Sequence, residues 1–423
     1  MVAALVAPFR MNAMSLPALN SLNFFMADVR DGLGPFLGVF LQEKGWGPQD
    51  IGLIMTAGGF AGMLATTPLG AFVDATKAKR AVMIVASVAI IAATLAMLYV
   101  PSLSLVLFAQ VVQGVAGAVI APAIAAITLG LVRQSGFARQ LGRNEAFNHG
   151  GNTFAALMGG ALGYIFGLQA VFWFMAAMAV GAIASTVLIR GDAIDHAAAR
   201  GAERDDAEGR EGSGWKTLLT SRPLLIVAVA MMLFHLGNGA MLPLLGQAMV
   251  ARGDGDPSAA TALTVVVAQL TMIPMALLAA RLAQSRGYWL VFVLALAALP
   301  LRGLIAASLS GFWVIIPVQM LDGVGAGLLG VALPGLVAQI LRGTGHFNVG
   351  LGAVMTVQGV GASLSPTLGG AVAQAYGYSA AFMALGGVAL FALALWLVAT
   401  LLMDGSWSRR AVGGATVAEL KVA

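Results

Sequence analysis

The stretch AALMGGALGYIFGLQAVF, residues 155–172, returns 210 residues later as SPTLGGAVAQAYGYSAAF, residues 365–382. Three glycines and one phenylalanine coincide when the two stretches are aligned at this offset. The aligned pairs are Gly159 with Gly369, Gly160 with Gly370, Gly167 with Gly377 and Phe172 with Phe382. Self-similarity at a fixed spacing is typical of a duplicated structural unit, so this stretch indicates that the chain consists of two related halves.

Two further pairs of segments repeat in the same order. QVVQGVAGA from Gln110 matches QMLDGVGAG from Gln319, 209 residues later. Nearer the start, GPFLG from Gly34 matches MLPLLG from Met241, with the proline and the last glycine of each aligned. Three matched pairs at nearly one spacing predict a duplication of six helices. Such a repeat suits a carrier that moves one half against the other around a central site.

The composition places these halves in a membrane. Of 423 residues, 59% are hydrophobic and 10% are charged, with a mean hydropathy of +0.90, whereas soluble domains carry about 25% charged residues. Apolar stretches of about 20 residues, enough to cross a hydrocarbon core of about 30 Å, recur along the chain. The predicted spans are 15–41, 49–73, 80–99, 103–132, 144–166, 168–190, 222–250, 258–283, 287–308, 311–341, 347–375 and 378–403. We therefore predict an all-α membrane protein of about twelve transmembrane helices in two pseudo-symmetric six-helix bundles.

The distribution of basic residues predicts the orientation. Short loops rich in Lys and Arg stay in the cytoplasm. With both termini inside, only Lys44 and Arg252 of the 23 Lys and Arg residues fall in outer loops, while Arg30 and Arg302 lie within spans. We expect a multi-pass protein of the cytoplasmic (inner) membrane. Its predicted parts are an N-terminal bundle (1–190), a solvated cytoplasmic linker (191–221), a C-terminal bundle (222–405) and a cytoplasmic tail (406–423).

Several functional classes are excluded or disfavoured by composition. The net charge of +5 is spread by topology rather than gathered on one face, which argues against a nucleic-acid partner. Since the chain has no cysteine, it offers no disulfide and no thiolate metal site. Histidines occur without a nucleophile motif or a carboxylate at catalytic spacing, so we expect neither an enzyme nor a cofactor.

The loop GAFVDATKAKR, residues 70–80, resembles the loop between the second and third helices of the major facilitator superfamily. Gly70, Asp74, Lys79 and Arg80 stand at matching places of the family pattern. The resemblance implies a fold of twelve helices, transport by alternating access, and a role for these four residues in gating. Two features depart from the proton-coupled exporters of the family: Gln110 replaces an arginine, and the fifth span lacks the G-x-x-x-G-P run.

The first span, FFMADVRDGLGPFLGVF at residues 24–40, carries three charges near its centre. An unpartnered charge at this depth costs about 2.5–3.5 kcal/mol on insertion scales, so such side chains should face the bundle interior or water. A carboxylate in a narrow cavity can carry a proton. We predict that Asp28 or Asp31 couples transport to protons. The alternative is a structural ion pair of Arg30 with one of the acids.

Polar residues in other spans are predicted to line the substrate cavity. His235 and Asn238 lie in the seventh span, opposite the first span in the repeat. The fifth span contributes a polar stripe, and Gln358 occupies the equivalent place in the eleventh span. The predicted substrate-binding residues are Arg30, Gln110, Asn148, His149, Asn152, His235, Asn238, Gln269, Gln319 and Gln358. Interhelical hydrogen bonding is the alternative role for these side chains.

Arg302 and Asp322 lie at similar distances from the outer turn that joins their spans. We predict a structural ion pair between them. If they did not pair, Asp322 would be a second proton carrier.

These observations predict a monomeric secondary transporter whose partners are a small organic solute, protons and membrane lipids. Proton-coupled export is the leading hypothesis, because an acidic first span in a largely apolar cavity suits lipophilic or cationic solutes. Proton-coupled uptake is the alternative, because Arg30 is suited to hold the carboxylate of an organic anion or metabolite. Divalent-metal export is a third hypothesis based on Asp28, His235 and Asn238, although no metal site is predicted.

Overall fold

The structure is a computed structural model that describes residues 2–30, 33–200, 219–341, 347–402 and 408. This part of the chain is almost entirely helical and contains no strand, which confirms the all-α prediction. Its α-helices are α1 (Val2–Arg30), α2 (Pro35–Glu43), α3 (Pro48–Ala75), α4 (Lys79–Tyr99), α5 (Leu103–Phe166), α6 (Gln169–Leu188), α7 (Arg222–Asn238), α8 (Met241–Arg252), α9 (Pro257–Arg286), α10 (Tyr288–Ser308), α11 (Ile315–Ile340), α12 (Phe347–Tyr376) and α13 (Tyr378–Leu402). Short 3-10 helices occur at Gly191–Ala193, Ala198–Arg200 and Phe312–Val314.

Nine segments of the described chain are long and apolar enough to cross a membrane. They correspond to nine of the twelve predicted spans. The other three are 15–41, which includes residues outside the described part of the chain, and 144–166 and 347–375, which hold polar residues such as Asn148 and Gln358. Large apolar side chains lie on the outside of the helices; Leu64 is 71% exposed and Leu401 is 73% exposed. This surface is suited to lipid rather than water.

The chain divides into two compact units. The first unit comprises Met1–Trp46, Leu53–Glu208 and Asp256–Leu263. The second unit comprises Gly47–Gly52, Gly209–Gly255 and Thr264–Ala423. Each unit contains most of one predicted bundle.

Helices pack in the same pairs in both units. In the first unit, α1 and α4 each pack against α5 and α6. In the second unit, α7 packs against α12 and α13, and α10 packs against α11 and α13. Under the sequence repeat α7 corresponds to α1, α10 to α4 and α13 to α6, while α11 and α12 correspond to the two parts of α5. The internal packing therefore follows the duplication predicted from the sequence.

Glycines at equivalent positions allow the closest helix contacts in each unit. A Cβ atom at Gly151 would collide with the carbonyl oxygen of Phe24, and one at Gly361 would collide with that of Met232. The two glycines are 210 residues apart. Because only glycine permits so close an approach of two backbones, the same small residue is required twice.

Four predicted spans have different boundaries in the structure. The fourth and fifth spans belong to one long helix, α5, with a break at Arg133, whose φ is 53°. The first span is divided into α1 and α2. The seventh is divided into α7 and α8, with Gly239 and Ala240 between them. At this second break the Ala240 N–H donates to Ser365 Oγ at 2.8 Å, which satisfies a backbone group freed by the interruption.

The first ten residues of the predicted linker are packed rather than fully solvated. Ile194, Ala198 and Ala199 are at most 5% exposed, and their segment packs on α5. Asp195 accepts hydrogen bonds from the Ala197 and Ala198 amides and from Arg133. The Ala198 hydrogen bond is the main cause that lowers the pKa of this carboxyl. Residues 201–218 of the linker and the tail at 406–423, apart from residue 408, lie outside the described residues.

Candidate functional site

The second unit contains a buried ion pair between neighbouring helices. Arg302 on α10 is 1% exposed, and its Nη1 atom donates to Asp322 Oδ1 on α11 at 2.7 Å. The sequence predicted that these two residues lie at a similar depth in the membrane and form a structural ion pair. A buried charge without a partner is strongly unfavourable, so each residue makes the other tolerable in the interior.

Two amide side chains bind the same guanidinium. Asn238 Oδ1, at the end of α7, accepts from Arg302 Nη1 at 2.5 Å. Gln319 Oε1, on α11, accepts from Arg302 Nη2 at 3.4 Å. Arg302 thus joins α7, α10 and α11 in one polar cluster, which contains two of the predicted substrate-binding residues.

A cavity of about 370 Å³ lies within the second unit, and Asn238 is one of its lining residues. Residues of α7, α11 and α12 form its walls. The lining residues are Met231, Phe234, His235, Asn238, Ala326, Leu329, Gly330, Leu333, Pro334, Leu351, Met355 and Gln358. Its polar side chains are His235, Asn238 and Gln358, all three of which were predicted to bind substrate. Its volume is within the range of small-molecule sites.

The break between α7 and α8 comes directly after Asn238. It positions His235 and Asn238 at the end of a helix, with a spacing of three residues that places them on one face. The sequence GNGAMLP at 237–243 carried the signal for this break, because two glycines and a proline disfavour a continuous helix. The apolar wall from Leu329 to Pro334 was not predicted.

The first unit has a smaller polar cavity of about 80 Å³. The lining residues are Asn23, Met26, Ala121, Ile124, Ala125, Leu141, Asn144, Glu145 and Asn148. Of the predicted polar stripe on the fifth span, Asn144, Glu145 and Asn148 line this cavity. His149 is exposed and Asn152 is half-buried, and neither lines it.

A buried network of neutral side chains lies beside this smaller cavity. Gln140 Nε2 donates to Asn20 Oδ1 at 2.8 Å and to Asn144 Oδ1 at 3.0 Å. Asn144 Nδ2 in turn donates to Thr128 Oγ1 at 2.9 Å. Asn20, Thr128 and Gln140 were not identified from the sequence. The signal available was the one-turn spacing of Gln140 and Asn144.

Gln110 belongs to a different network in the first unit. Its Nε2 atom donates to Gln113 Oε1 at 2.6 Å, and Gln113 Nε2 donates to Thr94 Oγ1 on α4 at 2.6 Å. These bonds connect α4 with the first part of α5. Gln269 is half-buried on α9 and does not line either cavity described above.

The charged centre of the first span lies at the interruption between α1 and α2. Asp28 is half-buried near the end of α1, and its Oδ2 atom is buried. Asp31 and the side chain of Arg30 lie outside the described residues. The helix resumes at Pro35, after Gly34 with a φ of 47°, so the structure interrupts this span where the sequence has its glycines and proline.

Lys79, the first residue of α4, binds the end of the helix that precedes it. Lys79 is 1% exposed, and its Nζ atom donates to the carbonyl oxygens of Val73 at 2.8 Å and Thr76 at 2.7 Å. The last carbonyls of a helix have no partner within the helix and attract cations. Lys79 therefore caps α3.

Arg80 makes the same kind of contact with a different helix. Its guanidinium donates to the carbonyl oxygens of Thr186 at 3.1 Å and Val187 at 2.8 Å, at the end of α6. Asp74 is exposed. A Cβ atom at Gly70 would meet no described residue within 4 Å other than its own helix, so close packing does not explain this glycine.

The comparisons with known proteins agree on one family. The family model for the Major Facilitator Superfamily matches residues 18–345. The chain is 43% identical over 385 residues to an uncharacterized MFS-type transporter of Mycobacterium tuberculosis, in strains CDC 1551 and H37Rv, covering 90% of this chain and 92% of that protein.

Solved structures show the same fold at low sequence identity. The nucleoside transporter NupG superposes with a TM-score of 0.76 at 13% identity, covering 92% of this chain and 98% of that one. A bacterial homologue of the human lysosomal transporter Spinster, in an inward-facing and unoccupied conformation, gives a TM-score of 0.72 at 14% identity, covering 95% and 99%.

Proposed function

This chain belongs to the major facilitator superfamily, and on that premise we propose that it exports a small, largely apolar organic solute in exchange for protons. Members of this family bind small-molecule substrates and transport them by alternating access as single chains. The proposed location is the cytoplasmic membrane, with both termini in the cytoplasm, as the basic loops favour.

The proposed class of solute is based on the cavity of the second unit. Its walls are apolar except for His235, Asn238 and Gln358. Arg302, the guanidinium that Asn238 binds, is itself bound to Asp322. Because this positive charge already has a counter-charge, it offers little net attraction to an anion. The cavity therefore favours an uncharged, largely apolar solute over an organic anion.

The proposed proton-binding residues are Asp28 and Asp31 of the first span. Charged side chains inside a membrane protein are costly, and where they occur they often belong to proton or substrate pathways. Asp28 stands at the end of α1, where the helix is interrupted. In the second unit Asp322 is bound to Arg302, which leaves the first span as the better candidate for coupling.

The loop at residues 70–80 is proposed to act in gating. Lys79 and Arg80 hold the ends of α3 and α6 by their terminal carbonyls. Asp74 lies exposed beside them. In our proposal the two cations keep these helix ends in place, and Asp74 is available to a partner that changes between conformations.

Flux measurements in proteoliposomes test the function. Lipophilic, cationic and anionic solutes are compared with and without an imposed pH gradient. We expect lipophilic solutes to move against the direction of the protons, and we expect Asp28→Asn or Asp31→Asn to remove the dependence of flux on the gradient. Asp50→Asn is the matched control, because Asp50 is exposed in the first turn of α3.

Each other outcome of this experiment counts against part of the proposal. Full gradient-driven flux in both variants would exclude the two acids as coupling residues. Solute movement in the same direction as the protons would instead identify uptake by symport. Among the described residues no three His, Cys, Asp or Glu side chains are grouped to hold a metal ion, so no geometric observation favours metal export.

A further inference from the structure

The polar atoms that Asn238 can offer to the cavity are determined by Arg302. A guanidinium has hydrogen-bond donors and no acceptor, so Asn238 must turn its oxygen toward Arg302, and the distance between Nη1 and Oδ1 is 2.5 Å. The amide group Nδ2 is left for the cavity that Asn238 lines. Among the described residues no acceptor binds Nδ2. Asn238 thus presents a donor.

His235 presents an acceptor at the same wall. Its Nδ1 atom lies 2.9 Å from the carbonyl oxygen of Met231. Since a carbonyl only accepts, Nδ1 carries the hydrogen, and a neutral ring then offers the lone pair of Nε2. His235 and Asn238 are three residues apart on α7, so their side chains lie on one face of the helix.

Gln358 supplies a second acceptor from α12. Its Oε1 atom is buried, and no donor in the described part of the chain binds it. Buried polar groups in native proteins are nearly always hydrogen-bonded. Because Gln358 lines the cavity, its unbonded oxygen indicates that a ligand or a water molecule in the cavity donates a hydrogen bond to it.

From this arrangement we infer that the solute is uncharged, mostly apolar, and carries on one edge a carbonyl group next to an N–H or O–H group, as a lactam does. The carbonyl accepts from Asn238 Nδ2, and the neighbouring N–H or O–H donates to Gln358 Oε1, while His235 Nε2 offers a second acceptor at the same edge. The remainder of the molecule packs against Phe234, Leu329, Leu333 and Met355. This inference deepens the proposed function and rests on it.

Binding of a matched pair of probes to the purified protein tests the inference. 2-Quinolinone has a carbonyl next to an N–H group on an apolar bicycle, and N-methyl-2-quinolinone lacks only that N–H. The cavity of about 370 Å³ has room for the added methyl group. We expect the N-methyl compound to bind about 10- to 100-fold more weakly, because it leaves a buried acceptor without a donor. Equilibrium dialysis measures both affinities.

Two variants connect this preference to the named atoms. Asn238→Asp keeps an oxygen for Arg302 but replaces the donor with an acceptor, and should weaken binding of both probes. Gln358→Met removes one acceptor and should reduce the preference for 2-quinolinone over its N-methyl derivative. Gln284→Met, at an exposed position of α9, is the control and should change neither affinity. Where Asn238→Asp does not fold, Gln358→Met decides the question alone.

The outcomes separate the inference from the function. No saturable binding of 2-quinolinone, equal affinity for both probes, or an unchanged preference in Gln358→Met would overturn the inference. If gradient-driven flux of other solutes persists in those cases, the proposed function stands and only the solute class is wrong. If no solute of the panel shows gradient-driven flux although 2-quinolinone binds as expected, the site is correct and the proposed coupling fails.

Discussion

One helix contact of the repeat is neutral in the first unit and ionic in the second. Between α4 and α5, Gln113 donates to Thr94 at 2.6 Å. Between α10 and α11, Arg302 donates to Asp322 at 2.7 Å. Asp322 follows Gln113 by 209 residues, and Arg302 follows Thr94 by 208. The duplicated positions have kept their contact and changed its chemistry.

The charges of the first unit lie in a different helix. Its first span holds Asp28, Arg30 and Asp31, and residue 30 aligns with the neutral Asn238 at an offset of 208. Thus the first helix of the repeat is charged in one unit, and the third and fourth helices are charged in the other. The two units therefore share a fold without sharing a site, which fits the proposed division between proton binding and solute binding.

Removing the cation of the ionic contact should give the largest effect on stability. Arg302→Met leaves the half-buried Asp322 without a counter-charge, and we expect a loss of about 3 kcal/mol. Thr94→Val at the neutral contact leaves one amide without its acceptor and should cost about 1–3 kcal/mol. Unfolding of the purified protein in detergent, followed by circular dichroism, compares the two variants.

A double variant serves as the control for this comparison. Arg302→Met combined with Asp322→Leu removes both charges and should recover much of the lost stability, because a buried ion pair is often replaceable by apolar side chains. Equal losses in Arg302→Met and Thr94→Val would show that the two contacts do not differ in the way proposed.

The capping of α3 by Lys79 gives the next largest expected effect on stability. Lys79→Met removes two charge-assisted hydrogen bonds from the end of α3 and should destabilise the protein by about 1.5–3 kcal/mol. Tyr288 begins the equivalent helix α10, so the second unit has no lysine at this place. Lys77→Met, at an exposed position of the loop between α3 and α4, is the control. A similar loss of thermal stability in both variants would argue against capping by Lys79.

Substitution of the equivalent glycines, Gly151 and Gly361, tests whether the two units pack their helices in the same way. Gly151→Ala and Gly361→Ala each place a Cβ against a backbone carbonyl of the neighbouring helix, and each should cost about 1–3 kcal/mol by overpacking. Gly70→Ala meets no described residue within 4 Å other than its own helix and should be neutral or slightly stabilising in a helix. Unequal losses at positions 151 and 361 in thermal unfolding would break the proposed equivalence.

Acid should weaken the packing of residues 191–200 on α5. The hydrogen bonds from Ala198 and Ala197, together with Arg133, lower the pKa of Asp195 from its ordinary value of 3.8. The folded pKa lies below the unfolded one, so this contribution is present above about pH 4 and is lost as the pH falls through the folded value. Hydrogen exchange of the peptide containing these residues, measured by mass spectrometry between pH 3 and 6, should show the change, and Asp195→Asn should abolish it.

The sequence predicted the fold well because its signals are repetitive. Hydropathy marked the apolar spans, and the paired glycines at 159 and 369 marked the duplication. The break at Gly239 was not predicted, because glycine and proline are also common in continuous membrane helices. The sequence predicted the end of the fourth span at residue 132, but it did not predict that α5 continues beyond Arg133 into the fifth span. The packing of Ile194 was missed because a short apolar segment inside a charged stretch gives no periodic signal.

The candidate site was predicted only in part. The sequence identified His235, Asn238 and Gln358 as polar residues in apolar spans, and the structure places them in one cavity. It did not indicate that Asn238 binds Arg302, because such a contact depends on how α7 and α10 pack. The neutral network of Gln140 and Asn20 was missed for the same reason, since these residues are 120 apart in the chain.

The ion pair of the second unit also sets a condition on its biosynthesis. Arg302 is made 20 residues before Asp322, so α10 leaves the ribosome with a charge that costs about 2.5–3.5 kcal/mol to insert alone. We expect α10 to wait at the translocon until α11 follows, and the two helices to enter the bilayer as a hairpin. Glycosylation mapping should therefore find α10 poorly inserted in chains that stop at residue 314 and well inserted in chains that continue to residue 341.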